Sequence, residues 1–270
     1  MLSLPRVLVL VFATFAVSGL AASTSTSSDG YQPLNPVGIV TRSLRPKADV
    51  YLTNAQRLSR GLPPNRPRRN GRPASSSKPS PSSTCVTKTG YIQADVARQG
   101  TGYVSKKVNA YGEYGFTHDV SKALSISYCA KRGSGTVDIA TSNGPSSYDF
   151  LGLIAGFGNT DEHKNLDGNN YNYAYLGGVS KERRGPAAVD GNSFTDATGV
   201  PEPSESNVWA IGRANHITAS WVNTDGSTAP LQFLYYKGHG NNNFIVTANA
   251  DLTQETFGPG HAATLTFVAA

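Results

Sequence analysis

Metal-binding and nucleophilic residues are scarce in this chain. Only Cys85 and Cys129 carry thiols, and His118, His163, His216, His239 and His261 stand singly. A zinc site needs thiolates or imidazoles at short ligand spacing, so none is expected. Neither cysteine lies in a nucleophile signature. No G-x-S-x-G elbow occurs, which removes the commonest frame for a catalytic serine, although a spatial Ser-His-Asp triad stays open. No histidine follows the expected signal cut or the dibasic pair Arg68-Arg69, which argues against a copper oxygenase that begins with histidine. Long apolar runs are also missing. The longest, Val7 to Val17, has about eleven residues where a membrane span needs about twenty. No run of ten or more residues shows a clean helical period.

What is present begins with "MLSLPRVLVLVFATFAVSGLAAS". A single arginine, an apolar run and small residues at Gly19 and Ala21 have the layout of a secretory signal peptide, cut after Ala21. The expectation is a secreted, extracellular protein with no membrane span. An oxidising route permits a Cys85–Cys129 disulfide, the alternative being two buried free thiols. The bridge would close a loop of about 45 residues, for which the chain-entropy model gives roughly 4 kcal/mol.

Charge is unevenly placed. Residues 22–84 hold ten Lys and Arg against two acids, a net +8, whereas residues 85–270 hold thirteen against sixteen, a net −3. A nucleic-acid partner would need a basic face on the folded part, and composition argues against one. The stretch "NAQRLSRGLPPNRPRRNGRP" (54–73) carries six arginines and no acid. Residues 22–84 as a whole are rich in Ser, Thr, Pro and Arg and too poor in apolar groups to offset chain entropy, so they read as a disordered pro-region or linker. Thr53 and Gln56 form a capping-box pattern for one short helix. "ASSSKPSPSST" reads as a flexible spacer. Arg68-Arg69 is a target for a processing protease of the secretory route, since exposed flexible chain is where cutting succeeds. The alternative is a retained arm that binds acidic wall polymers or membrane surfaces by charge and loses affinity as salt rises. A second pair, Arg183-Arg184, lies in an expected loop.

From Cys85 onward the texture is all-β: "YIQADV", "ALSISYC", "ITASWV", "LQFLYY", "NFIVTA" and "ATLTFV" are short, β-branched and aromatic, and glycine-rich turns separate them. About ten such strands fit a single β-sandwich or jelly-roll-like domain, residues 85–270, with barrels as the alternative. In "ITASWVNTDGSTAPLQFLYY" Ile217, Ala219 and Trp221 share a face, "NTDG" turns, and Leu231, Phe233 and Tyr235 alternate in the returning strand. Trp209 and Trp221 are expected in the core, the alternative being rings that stack on sugars.

"LTNAQRLSRGLPPNRPRR" resembles the N-A-x-R-x-x-x-G-L-P-P segment of small secreted proteins of mushroom-forming fungi. "TGYIQ", "NAYGEYG", "NVWAIG", "ITASWVNTDGS" and "FGPG…ATLTFV" are similar to the domain that follows it there. The resemblance covers most of residues 50–270, while the insert "GNTDEHKNLDGNNYNYAYLGG" departs from the pattern. It implies a secretion route and a β domain, and no activity.

Three kinds of chemistry can be sought in the domain. Glycoside hydrolysis needs two facing carboxylates. Glu113, Glu162, Glu202 and Glu205 are the candidates, and Glu113, between tyrosines in "AYGEYG", is the first to test because burial there would raise its pKa. The bland reading is a solvated turn acid. In 159–172, Asn159, Asp161, Glu162, Asp167 and Asn169 offer hard oxygens of the kind calcium takes. The spacing is not that of an EF-hand, so a plain turn is the main reading and no cofactor or metal is expected. Sugar binding is the third. Asp167, Asn169, Tyr171 and Tyr173, with Tyr175, would offer amides and ring faces to a pyranose, or would form an aromatic stripe packed in the core. The reading reached from sequence is a secreted, non-catalytic binding protein acting on extracellular or cell-wall polysaccharide. A glycoside-type hydrolase with an unrecognised carboxylate site is the alternative.

Overall fold

The computed structural model describes residues 30–45, 85–130, 135–160, 163–238 and 241–270. The signal cut at Ala21, the capping box at Thr53 and Gln56, the pair Arg68-Arg69, and Asp161 and Glu162 lie outside the described residues.

Fourteen strands and two α-helices follow one another along the described chain. The strands are β1 (Val86–Val96), β2 (Gly100–Val108), β3 (Tyr114–Thr117), β4 (Ser125–Ala130), β5 (Ile139–Thr141), β6 (Phe150–Ala155) and β7 (Tyr173–Val179). After helix α1 (Ser193–Thr198) come β8 (Ser204–Glu205), β9 (Trp209–Ile211), β10 (His216–Val222), β11 (Thr228–Pro230), β12 (Gln232–Gly238) and β13 (Asn241–Thr247). Helix α2 (Ala250–Phe257) and β14 (His261–Ala269) end the chain.

The all-β expectation holds, but the sheet closes on itself. Strands β14, β12, β13, β7, β6, β5, β4 and β1 pair in that order, and β1 pairs back to β14, giving an eight-stranded antiparallel barrel with extra strands. Two stacked sheets were the first expectation; closure replaces them because β1 and β14 match inward-facing apolar residues. Ile92 lies opposite Phe267, Ala94 opposite Leu265, and Val96 opposite Ala263. All six are buried in one cluster. Period-two alternation puts them on one face, and pairing them removes two sheet edges from water.

Apolar side chains pack the barrel interior. Leu151, Leu153 and Ala155 of β6, Ala174 and Leu176 of β7, Phe233 and Tyr235 of β12, and Phe244 and Val246 of β13 meet Trp209 and Trp221 there. The tryptophans are 0% and 1% exposed, so both are core residues as expected. The Trp209 ring N–H donates to the Leu151 carbonyl at 2.7 Å, which satisfies the one polar atom that its burial would otherwise orphan.

The hairpin expected from "ITASWVNTDGS" forms, but its returning strand is shorter than the alternation implied. β11 pairs with β10 only from Thr228 to Pro230, and β12 then leaves to pair with β13 and β14. Pro230 has no N–H to extend a ladder, so the break falls there.

A second apolar layer lies on the outside of the barrel. β7 is buried at all seven positions, which requires cover on both faces. On its outward side Tyr173, Tyr175 and Val179 join Ile154, Leu234, Tyr236 and Ile245. Phe194 of α1, Phe257 of α2 and Leu34 cover this face. Residues 30–45 therefore have no helix or strand, as their composition implies, yet they are seated on the barrel. Gln32 N–H donates to the Thr256 carbonyl at 2.9 Å, Arg42 N–H to Ala197 at 2.7 Å, and Ser146 N–H to the Arg45 carbonyl at 2.8 Å. The disulfide Cys85–Cys129 is formed and ties β1 to β4.

Candidate functional site

Glu113 is the most deeply buried of the described acids that the sequence singled out, and its loop is built locally. The loop Asn109–Glu113 joins β2 to β3. Asn109 organises it, its side-chain oxygen accepting from the N–H groups of Tyr111 at 2.9 Å and Glu113 at 3.1 Å. Gly112 has φ +81°, and a Cβ there would meet the Ser193 carbonyl oxygen at 2.2 Å. Only glycine meets both demands, so α1 can press on the loop and turn Glu113 inward. The Ser193 hydroxyl fixes this contact by donating to the Gly112 carbonyl at 2.5 Å while accepting from Gly178 N–H at 2.9 Å.

Inside, Glu113 is fully buried, which rules out the solvated turn acid. Its Oε2 accepts from Asn109 Nδ2 at 2.6 Å and from Asn35 Nδ2 at 3.3 Å. Burial pushes its carboxyl up to about 8, and the two amide donors hold it back from rising further. The carboxyl is thus neutral at mildly acid pH. Its Oε1 and the Asn35 side-chain oxygen are buried without hydrogen-bond partners.

Beside it, the Tyr173 hydroxyl donates to the Leu34 carbonyl at 2.6 Å, and the Tyr175 hydroxyl donates to the same oxygen. Burial raises both phenols well above their ordinary range, so they stay protonated donors. Phe157 N–H and Gly158 N–H donate in turn to Tyr175 at 3.3 Å and Tyr173 at 3.2 Å. Asn35 Nδ2 also reaches Asn241 Oδ1 at 3.0 Å. One carboxyl, two phenols and the Asn241 side chain thus converge on the backbone and side chain of residues 34 and 35.

The residues expected to bind sugar are placed differently from an open sugar site. Tyr173 is 0% exposed and cannot stack on a sugar while Leu34 lies over it. Tyr171 is half-buried, edge-on to Phe257 at 5.6 Å. Tyr175 stacks on Phe194 at 5.0 Å. The aromatic stripe is therefore packed. Asp167 and Asn169 sit in a turn in which Asp167 Oδ1 accepts from Asn169 N–H at 2.7 Å and Oδ2 accepts from Asn170 at 3.1 Å. Asn159 spends both ends of its amide on the Tyr173 backbone, each at 3.0 Å. Asn165 instead reaches out of the loop to Thr224, its side-chain oxygen accepting from the Thr224 N–H at 2.9 Å, and no group of three or more His, Cys, Asp or Glu that could hold a metal occurs among the described residues.

The other described candidate acids are anchored separately. Glu202 pairs with Lys164 at 3.6 Å, and Glu205 accepts from Val222 N–H through both oxygens at 3.0 and 3.2 Å. Burial lifts Glu202 to about 7 and Glu205 to about 8.

An open concave surface lies elsewhere, at β4, β9 and β10. A groove of about 610 Å³ is lined by Lys88, Tyr128, Arg213, Asn215, His216 and Thr218 among others, with no Asp or Glu among the described residues that line it. A second, of about 420 Å³, shares Tyr128 and Val137 with it and carries Asp138 and Lys181, paired at 3.7 Å. The rim of the first is strained. Ala214 and Asn215 are consecutive left-handed residues, φ 52° and 61°. Alanine pays a steric cost for that conformation, and such outliers cluster where a chain must present groups to a partner. Sequence reasoning passed over "GRANH" because neither a motif nor a periodicity marks it.

These features define a class by architecture alone: a closed eight-stranded antiparallel barrel with a seated N-terminal segment. The chain matches no protein-family model, no curated protein and no solved structure. No helix among the described residues is long and apolar enough to cross a membrane.

Proposed function

We propose that this is a secreted, non-catalytic binding protein that holds extracellular or cell-wall polysaccharide in the β4–β9–β10 groove. The observation that carries the reading is the lining of that groove, exposed Lys88, Arg213, Asn215, His216 and Thr218 without a carboxylate. Amide, hydroxyl and cationic donors suit a hydroxyl-rich chain bearing acid groups. A hydrolase of the glycoside type would need two carboxylates at the bound chain, and the groove supplies none. The disulfide agrees with an oxidising compartment.

The test is retention on insoluble polygalacturonate, chitin and cellulose. Wild type is expected on the acidic polymer and to elute as salt rises; the double variant Arg213→Ala/Asn215→Ala is expected in the flow-through. Equal retention of both proteins would remove the groove from the account. The hydrolase reading keeps one supporting observation, the buried carboxyl of Glu113 held near 8. Release of soluble sugar by wild type but not by Glu113→Gln would favour it.

A further inference from the structure

We propose that the outer face of the barrel around Glu113, Tyr173 and Tyr175 is a peptide-binding site, and that its resident ligand is the chain's own segment around Leu34-Asn35-Pro36. The contacts are those of recognition rather than of incidental packing. Two buried phenols converge on one peptide carbonyl, that of Leu34. The Asn35 amide is divided between a buried carboxyl and Asn241. The Leu34 side chain enters an apolar cluster with Tyr173, Tyr175 and Phe194. Leu34, Asn35 and Pro36 are buried, while Tyr31, Gln32, Val37 and Gly38 on either side are exposed. The segment pairs with no strand. It is thus read through one carbonyl, one carboxamide and one leucine pocket, the usual economy of an extended peptide in a groove.

This arrangement gives the basic stretch downstream a consequence. While the chain is intact the segment is tethered, and its local concentration keeps the site full. A cut after Arg69 leaves residues 30–45 held by these contacts alone. The site can then exchange its occupant for another peptide that presents a leucine-asparagine pair.

The experiment uses the full secreted chain carrying Leu34→Ala/Asn35→Ala, with Arg183→Gln in every protein compared so that the exposed second dibasic pair is not cut, and cleaved after Arg69 with a dibasic-specific protease. The two alanines weaken the resident segment and leave the barrel face that receives it as it is. After gel filtration, a fluorescein-labelled synthetic peptide of residues 30–45 is added and its anisotropy followed. The expected result is a saturable rise, reversed by excess unlabelled peptide. Binding should weaken roughly tenfold or more for the peptide with both alanines, and several-fold when the barrel carries Tyr175→Phe, which removes one donor and keeps the ring. No rise, or equal binding of the wild-type and doubly substituted peptides, would overturn the proposal. Loss of the near-ultraviolet tryptophan signal on cutting would overturn it too, because the segment would then be part of the core rather than a ligand.

Discussion

Replacing Glu113 by glutamine should flatten the dependence of stability on pH. In the native protein burial raises this carboxyl from 4.5 to about 8. An acid whose folded pKa lies above its unfolded value keeps its proton in the native state. Above pH 4.5 the unfolded chain binds fewer protons than the folded one, so stability falls as pH rises. The fall stops once native Glu113 itself ionises near pH 8. At about 1.4 kcal/mol per unit, a rise of this size corresponds to at most about 5 kcal/mol between the two ends of the window. Glutamine keeps the shape and an acceptor for Asn109 and Asn35 but has no proton to lose. Urea unfolding followed by the buried tryptophans, at pH 4.5 and pH 8, reads the difference directly. The other acids are common to both proteins and cancel. Wild type should lose several kcal/mol more than Glu113→Gln across the window. Parallel losses in the two proteins would show that Glu113 ionises normally, and the picture of a neutral buried carboxyl would fail.

Other outcomes follow from the same contacts. Glu182, Glu202 and Glu205 are shifted in the same direction, to about 7, 7 and 8, so even Glu113→Gln should keep some residual loss of stability towards neutral pH. Cys85→Ser/Cys129→Ser opens a bridge with a sequence separation of 44 and should cost about 4 kcal/mol, measurable as a lowered urea midpoint. Gly112→Ala places a Cβ 2.2 Å from a backbone oxygen at φ +81° and should destabilise by more than about 2 kcal/mol; a melting temperature within a degree of wild type would contradict the packing of α1 on this loop. Tyr173→Phe loses the hydrogen bond to Leu34 and the acceptor of the Gly158 N–H, and should cost about 2 kcal/mol by the same urea assay.

The strands were legible because their signal is local. Alternation in "YIQADV" and "ATLTFV" places Ile92, Ala94, Leu265 and Phe267 on one face, and the fold uses them there. That these two strands pair with each other was not legible, since they stand at opposite ends of the domain and period two does not name a partner. Closure into a barrel rests on that one long-range pairing. The burial of Trp209 and Trp221 was readable from strand context. Glu113 was readable as a candidate from its tyrosine neighbours, but its amide partner Asn35 lies 78 residues away, in a stretch whose composition gives no hint of burial. Leu34 is a single apolar residue between prolines, too little to mark a docking segment. The aromatic stripe of Tyr171, Tyr173 and Tyr175 was readable as one feature, yet whether it forms an open site or a covered one depends on α1, α2 and residues 30–45 arriving from elsewhere.

The central structural claim is that residues 30–45 are seated on the barrel, and amide hydrogen exchange on the secreted, uncut protein tests it most directly. Gln32 and Arg42 donate to Thr256 and Ala197 and should exchange at least roughly tenfold slower than the same residues in the free peptide. Leu34→Ala/Asn35→Ala should return both to the peptide rate. If both amides exchange at the peptide rate in wild type, the segment is not seated, and the covered site around Glu113, Tyr173 and Tyr175 does not exist in solution.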